Sequence, residues 1–313
     1  MSEQAVGPGA APNPQGCGRR QGAANLMFKI LNRAFLTGVV TTDYPARPME
    51  PLPNLRGRPV IDFEKAADCL SAALVCPTGA LTVEDKLDNR KVTLDYGRCI
   101  FCGLCAEASA DGTIRTTGEI ELAAQHRSHL VSSAYYRLDA GGKQQFLQIA
   151  LADRQTSEAE DVVKERLRER IRRVLGRSLQ IREVDAGSCN GCEVEITGLN
   201  SPIYDVERLG VRFVASPRHA DMLLVTGPVT RNMEVPLKKV YNATPEPRLV
   251  VAVGACGCSG GIFGCNYASL GGVDQVIPVD VYIPGCPPPP QALLYGILVA
   301  MGRLQEKLRT ETG

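Results

Sequence analysis

Two cysteines three positions apart stand in the run Asp185-Ala186-Gly187-Ser188-Cys189-Asn190-Gly191-Cys192-Glu193. A third follows the apolar run Leu249–Val253, in Gly254-Ala255-Cys256. A fourth follows Val276–Ile283, in Pro284-Gly285-Cys286-Pro287. Leu179–Val184, ahead of the first pair, alternates apolar and polar residues as a strand does. Three strands would therefore each deliver cysteine at the carboxyl end. In an open parallel α/β sheet those ends converge on one crevice, where ligands bind. Four thiolates in one crevice suit an iron–sulfur group or zinc. A single cysteine is usually packing, and an isolated C-x-x-C fits a redox dithiol or half a zinc site. Four cysteines at three strand ends point to metal. Cys258, two residues after Cys256, competes as a ligand; Cys256 is preferred because it directly follows the strand end.

A second group lies between residues 58 and 120. Its later half reads Cys99-x-x-Cys102-x-x-Cys105-x-x-x-Ser109. Shifted back by 33 residues, the earlier half reads Ala66-x-x-Cys69-x-x-Ala72-x-x-x-Cys76-Pro77. This internal repeat resembles the bacterial two-cluster ferredoxin, C-x-x-C-x-x-C-x-x-x-C-P in duplicate. In that fold the fourth cysteine of each run ligates the other cluster. The resemblance implies one intact [4Fe–4S] site at Cys76, Cys99, Cys102 and Cys105. The other site would use Ala66, Cys69, Ala72 and Ser109 and has lost three of its four ligands. The vacated pocket is expected to fill with apolar side chains such as Leu70, leaving Cys69 a buried thiol.

The elements that must position these groups can be read from periodicity. Asp221–Thr226 is a further strand, and Glu234–Tyr241 and Gln291–Lys307 read as helices. Strands alternating with helices give an α/β class for the C-terminal part. Tyr135–Leu138 and Phe146–Ile149 read as a hairpin around Gly141-Gly142. Ser157-x-x-Glu160 has a capping-box pattern, and Val163, Leu167, Ile171 and Val174 follow at helical spacing, so 151–177 is expected to be a connecting helix. Residues 1–25, rich in Gly, Pro and Ala, read as a disordered tail. Leu26–Leu36 reads as a short amphipathic helix, packed on its own domain or against a membrane or membrane subunit.

The run Ser188–Glu193, Ser216-Pro217-Arg218-His219-Ala220-Asp221 before Leu223–Pro228, Gly254-Ala255-Cys256, Pro278–Val281 and Pro284-Gly285-Cys286-Pro287-Pro288 resemble together the small, cluster-bearing subunit of energy-converting membrane-bound [NiFe] hydrogenases of the formate hydrogenlyase type. They also resemble the homologous 20 kDa subunit of respiratory complex I. The resemblance covers 178 to about 306. It implies a flavodoxin-like parallel-sheet domain with one proximal [4Fe–4S] cluster on Cys189, Cys192, Cys256 and Cys286. Complex I subunits carry two adjacent cysteines at the first position; the Cys-x-x-Cys here is the hydrogenase arrangement. From Leu26 to about Ala150 the chain, through Phe28-Lys29-Ile30-Leu31, Tyr44-Pro45 and Gly57-Arg58-Pro59, resembles the polyferredoxin-like subunit of the same hydrogenases. The expected organisation is thus a tail (1–25), an α+β ferredoxin-like domain (26–150), a connector (151–177) and a small-subunit domain (178–313), two usually separate subunits in one chain.

The function this implies is electron transfer through two [4Fe–4S] clusters, to or from a separate, nickel-bearing catalytic large subunit, with other iron–sulfur and membrane-arm subunits as partners. The implied location is peripheral, on the cytoplasmic side of the inner membrane. The alternatives are the equivalent subunit of a nickel-free quinone or ferredoxin oxidoreductase, and a non-catalytic iron–sulfur sensor or scaffold. Zinc is the alternative metal at either site. Glu193, beside Cys192, reads either as part of a proton path or as a solvated or structural carboxylate. His219 reads as a hydrogen-bonding loop residue. Cys17 and Cys265 have no evident partners.

Composition narrows the field. Lys plus Arg number 35 and Asp plus Glu 34, a net charge of +1 that leaves no electrostatic footprint for nucleic acid. There is no Trp, which argues against stacking platforms for bases or sugars. Twelve cysteines in 313 residues suit metal use in a reducing compartment better than a disulfide framework. Arg19-Arg20 is followed by Gln21-Gly22-Ala23-Ala24, a poor match to an export signal, and Lys29 and Arg33 interrupt the apolar stretch after it. No apolar run reaches the ~20 residues of a membrane span. Gly254–Gly261 lacks the Gly-Lys-Ser/Thr ending of a phosphate loop.

Overall fold

The computed structural model describes residues 21–47, 49, 55–65, 69–109, 111–139, 144–151 and 178–307. The chain divides into two compact units, Met1–Thr41 and Thr42–Gly313. In the first, a helix spans Gln21–Thr37, starting five residues before the expected Leu26. Ala23 and Ala24 are strong helix formers and extend it. Its Phe28, Ile30, Leu31, Phe35 and Leu36 are exposed.

Among the described residues, the second unit holds three sheets. β1 (Pro59–Ile61) pairs antiparallel with β4 (Ile114–Thr116). β2 (Leu81–Lys86), β3 (Asn89–Asp95), β5 (Val131–Leu138) and β6 (Gln144–Leu151) form an antiparallel sheet in the order β2-β3-β5-β6. The expected hairpin of β5 and β6 is present, with longer strands. The one-turn helices Leu70–Leu74 and Leu104–Ala108 carry the two halves of the cysteine repeat.

The parallel sheet comprises β7 (Leu179–Asp185), β8 (Val211–Phe213), β9 (Met222–Thr226), β10 (Leu249–Val253) and β11 (Val281–Ile283). Every pairing is parallel and the order is β11-β10-β9-β7-β8. Counted within this sheet the order is 2-1-3-4-5, the flavodoxin-like arrangement, with its switch point between β7 and β9. β9, β10 and β11 are buried along their whole length, because both faces are covered. β11 is shorter than the expected Val276–Ile283. Pro278 cannot donate to a ladder, and the Ile277 N–H bonds back to Val273 in a turn.

Alternation along each strand sends residues to opposite faces. Leu224, Val251 and Ile283 pack with Leu293, Ile297 and Leu298 of the helix Pro290–Ala300, which is buried from Gln291 to Ala300. Leu223, Val225, Val250 and Ala252 face the other way, into a core that also contains Leu94, Leu122, Leu130 and Tyr136 of the cysteine-repeat region. Backbone bonds in both directions between Ala124 and Tyr282 fasten that seam. At its other end Lys307 pairs with Glu121 at 2.6 Å, Gln291 donates to Glu121, and Glu306 meets His129 at 2.9 Å. The expected connector, its capping box, Cys17 and Ala66 lie outside the described residues.

Candidate metal centres

The strand-end site is built by turns that leave room for sulfur. After β7, the Asp185 carboxylate accepts from the N–H groups of Gly187 and Ser188, each at 2.7 Å. This closes a tight turn, and Asn190 in the left-handed region then starts the helix Gly191–Gly198. Cys189 lies on the turn and Cys192 in the first helical turn. After β10, Gly254 has φ +79°, and a Cβ there would sit 2.8 Å from the Cys192 sulfur. After β11, the Gly285 carbonyl accepts from the Ala255 N–H at 2.7 Å, which ties the Cys286 loop to the Cys256 loop.

Cys189 and Cys286 are exposed, whereas Cys192 and Cys256 are half-buried. Burial pushes the Cys256 thiol up to about 11, with the neighbouring Cys286 and Cys189 adding to the rise. Burial also raises Cys192, reinforced by Glu193 and then by Cys256, Cys286 and Cys189. Cys286 is raised by burial and by Cys189. The four sulfurs are therefore within electrostatic reach of one another. Sulfur donors of this kind fit iron.

Cys256 and Cys258 are separated by the geometry of the short helix Gly254–Ser259. Two helical residues are about 200° of rotation, so they point to opposite sides. Cys258 is fully buried, with its sulfur 3.8 Å from the Ala252 carbonyl oxygen. Its electrostatic neighbours are Arg127, Asp95 and Asp274, not the strand-end cysteines. Glu193 lies at the crevice edge. It accepts a hydrogen bond from the Thr226 hydroxyl at the end of β9. Its other oxygen is buried without a partner, and its charge adds to the burial that raises Glu183.

In the repeat region, Cys76, Cys99, Cys102 and Cys105 line one cavity together with Pro77, Leu81 and Phe101. Phe101 (φ +55°) and Gly103 (φ +83°) turn the backbone so that the Phe101 N–H points at the Cys99 sulfur, at 3.4 Å. Burial pushes Cys99 up to about 12, partly opposed by that N–H and reinforced by Cys105, Cys76 and Cys102. Burial raises Cys105, and Cys102 and Cys76 add to it. Cys76 behaves differently. Burial raises it, but the N–H groups of Leu81, Thr78 and Ala80 and the Thr78 hydroxyl outweigh that and hold it below the ordinary thiol range. Arg56 donates to the Cys102 carbonyl at 2.8 Å.

The described positions that the repeat would assign to a second site point elsewhere. Cys69 and Ala72 are buried in the core with Phe63 and Tyr136. The Ser109 hydroxyl donates to Asp111 at 2.7 Å and accepts from the Ile114 N–H, closing a turn. Leu70 does not fill the pocket: it is 43% exposed. Cys69 and Ala72, three apart, share the inner side of their turn, and Leu70 falls on the outer side.

Cys265 and His219 are exposed. Among the described residues no three His, Cys, Asp or Glu side chains close to the distances that grip a lone ion. No helix among them is long and apolar enough to cross a membrane. Spacing did not reveal Thr226, Arg127 or Ser259, which meet their partners only across the fold.

Comparison with known proteins bears on the C-terminal part. The family described as NADH ubiquinone oxidoreductase, 20 Kd subunit, matches residues 189–300. Formate hydrogenlyase subunit 7 of Escherichia coli is 52% identical over 132 residues, 42% of this chain. The match spans only about half (52%) of that relative's length. The probable membrane-bound hydrogenase subunit mbhJ of Pyrococcus furiosus is 46% identical over 151 residues, 47% of this chain and 90% of that protein. The NADH-quinone oxidoreductase B subunit of Citrifermentans bemidjiense is 48% identical over 120 residues, 38% of this chain and 68% of that protein. With this extent of identity and the cysteine-bearing strand ends, the chain belongs to the family of the 20 Kd subunit of NADH ubiquinone oxidoreductase.

Proposed function

We propose that this chain is an electron-transfer subunit of a multi-subunit, membrane-associated oxidoreductase and holds two [4Fe–4S] clusters. The observation that carries the reading is the convergence of Cys189, Cys192, Cys256 and Cys286 from three carboxyl ends of one flavodoxin-order sheet. When bound, such a group supplies reversible one-electron storage at a potential set by its surroundings. The chain's part is to anchor it. The four thiolates would hold it, and Gly254, having no Cβ, leaves room for the Cys192 sulfur. Cys76, Cys99, Cys102 and Cys105 would hold the other, with N–H donors around Cys76 and Cys99 stabilising thiolate charge. Glu193, with one oxygen buried and the other accepting from Thr226, is the candidate carboxylate for a proton path beside the first site.

In this reading residues 26–150 and 178–313 are two subunits joined in one chain. The relatives named as hydrogenase subunits, and the Cys-x-x-Cys at Cys189 and Cys192, favour a [NiFe] large subunit as the partner, with other iron–sulfur and membrane-arm subunits, at the cytoplasmic side of the membrane. The 48% identity to the B subunit of an NADH-quinone oxidoreductase supports a second reading, a nickel-free complex I-like oxidoreductase.

Anaerobic purification tests the reading. About eight iron and about eight acid-labile sulfide per chain are expected from two cubes. Zinc in place of iron would sink it. Nickel in the co-purified large subunit selects the hydrogenase reading, and its absence selects the second.

A further inference from the structure

We propose that Ser259 is the bridge by which electrons cross between the two cysteine sites, held in register by Arg127. This rests on the two-cluster reading above. Ser259 closes the short helix that carries Cys256. Its hydroxyl lies 2.9 Å from the carbonyl oxygen of Gly97, two residues before Cys99. The same hydroxyl lies 3.0 Å from the carbonyl oxygen of Ala255, the residue before Cys256. Its one proton is shared between these two acceptors, and its oxygen accepts from the Gly261 N–H at 3.2 Å. One side-chain atom thus joins the backbone that leads into a ligand of each site.

Arg127 makes the second tie between the same loops. Its Nε donates to the Cys258 carbonyl at 3.0 Å, and its Nη2 donates to Asp95 at 2.7 Å. Asp95 in turn accepts from Gly97 N–H through its side chain and from Cys99 N–H through its backbone. Gly97 packs directly under the guanidinium, where a Cβ would come 2.5 Å from Cζ. A larger residue would push Arg127 off and open the seam. The two loops are therefore tied together by two side chains.

Electron tunnelling weakens less steeply along covalent and hydrogen bonds than through space. The route Cys99–Arg98–Gly97, then Ser259, then Ala255–Cys256 consists of chain bonds joined by one hydroxyl. One electron crosses, the donor site is oxidised by one and the acceptor site reduced by one, and no proton or bond is exchanged. The route lies wholly within this chain and needs no carrier between the sites.

The test uses the full chain in its complex, with Ser259→Ala, Ser259→Thr and Arg127→Lys compared with the wild type. Iron content and the paramagnetic signal of each cluster report whether both sites are loaded. The magnetic interaction between the reduced centres reports their separation, and rapid-freeze experiments report how fast an electron equilibrates between them. The expected result is that Ser259→Ala keeps both signals and the interaction but slows equilibration, and Ser259→Thr restores the rate. Arg127→Lys, which cannot reach both partners, is expected to slow it as well. Equilibration at the wild-type rate in Ser259→Ala with both clusters present overturns the proposal. So does a collapse of the magnetic interaction in both Ser259→Ala and Arg127→Lys, which would make these residues spacers. If Ser259→Ala loses a cluster, the Arg127→Lys rate decides. A wild-type chain without two clusters is seen in the iron content alone, and refutes the two-cluster reading instead.

Discussion

Cys76 and Cys99 line the same cavity and lie within electrostatic reach of each other, although they stand in different halves of the repeat. Cys69, seven residues earlier, is buried on the far side of the same segment beside Tyr136. Cys76→Ala is therefore expected to abolish the ferredoxin-type paramagnetic signal. Cys69→Ala is expected to keep it and to cost roughly 1 kcal/mol of packing. Spectroscopy on the two variants side by side checks this, and the reverse outcome would refute the crossed ligand set.

Opposite orientation along one helix separates Cys256 from Cys258. Cys256→Ala should remove the strand-end cluster, halving the iron content while sparing the ferredoxin signal. Cys258→Ala should leave both signals and only lower stability, because its sulfur is packed in the core. Loss of iron in Cys258→Ala, but not in Cys256→Ala, would show the ligand choice in this turn to be wrong.

Gly254 is held at φ +79° with the Cys192 sulfur 2.8 Å from where a Cβ would be. Gly254→Ala should cost about 1–2 kcal/mol in backbone strain alone. It should also displace Cys192 and lower occupancy of the strand-end site, with the ferredoxin-type site unaffected. Urea unfolding and iron analysis of the variant read the two effects separately. An unchanged urea midpoint with full iron would contradict the packing described.

Acid should loosen the seam between the repeat region and the parallel sheet. Burial alone would raise Glu306, but the His129 side chain and the Gln125 N–H outweigh it and hold the carboxyl below its ordinary range. A carboxylate depressed in the folded state stabilises fully above the unfolded-chain value of about 4.3. That stability is lost as pH falls through the depressed folded value. Glu306→Gln should therefore flatten the acid limb of stability against pH, measured as urea midpoints between neutral and acidic pH. An acid limb as steep as the wild type's would show that this contact does not contribute.

The alternation and apolar runs of the chain sufficed to place β7, β9 and β10, because burial period is a local property of sequence. The four strand-end cysteines were candidates for the same reason, since each of three such runs leads into a cysteine-bearing turn. The repeat made Cys76, Cys99, Cys102 and Cys105 a candidate set by its register alone. Other features depended on contacts between distant parts of the chain. The direction of a side chain within one helical turn set Cys256 and Cys258 apart and turned Leu70 outward. The strand order β11-β10-β9-β7-β8 follows from pairing, which spacing does not encode. Thr226 on Glu193, Arg127 on Cys258 and Ser259 on Gly97 join positions far apart in the chain. A hydroxyl or guanidinium has no periodicity that marks it in advance; it finds its partner only once the fold has brought the two segments together.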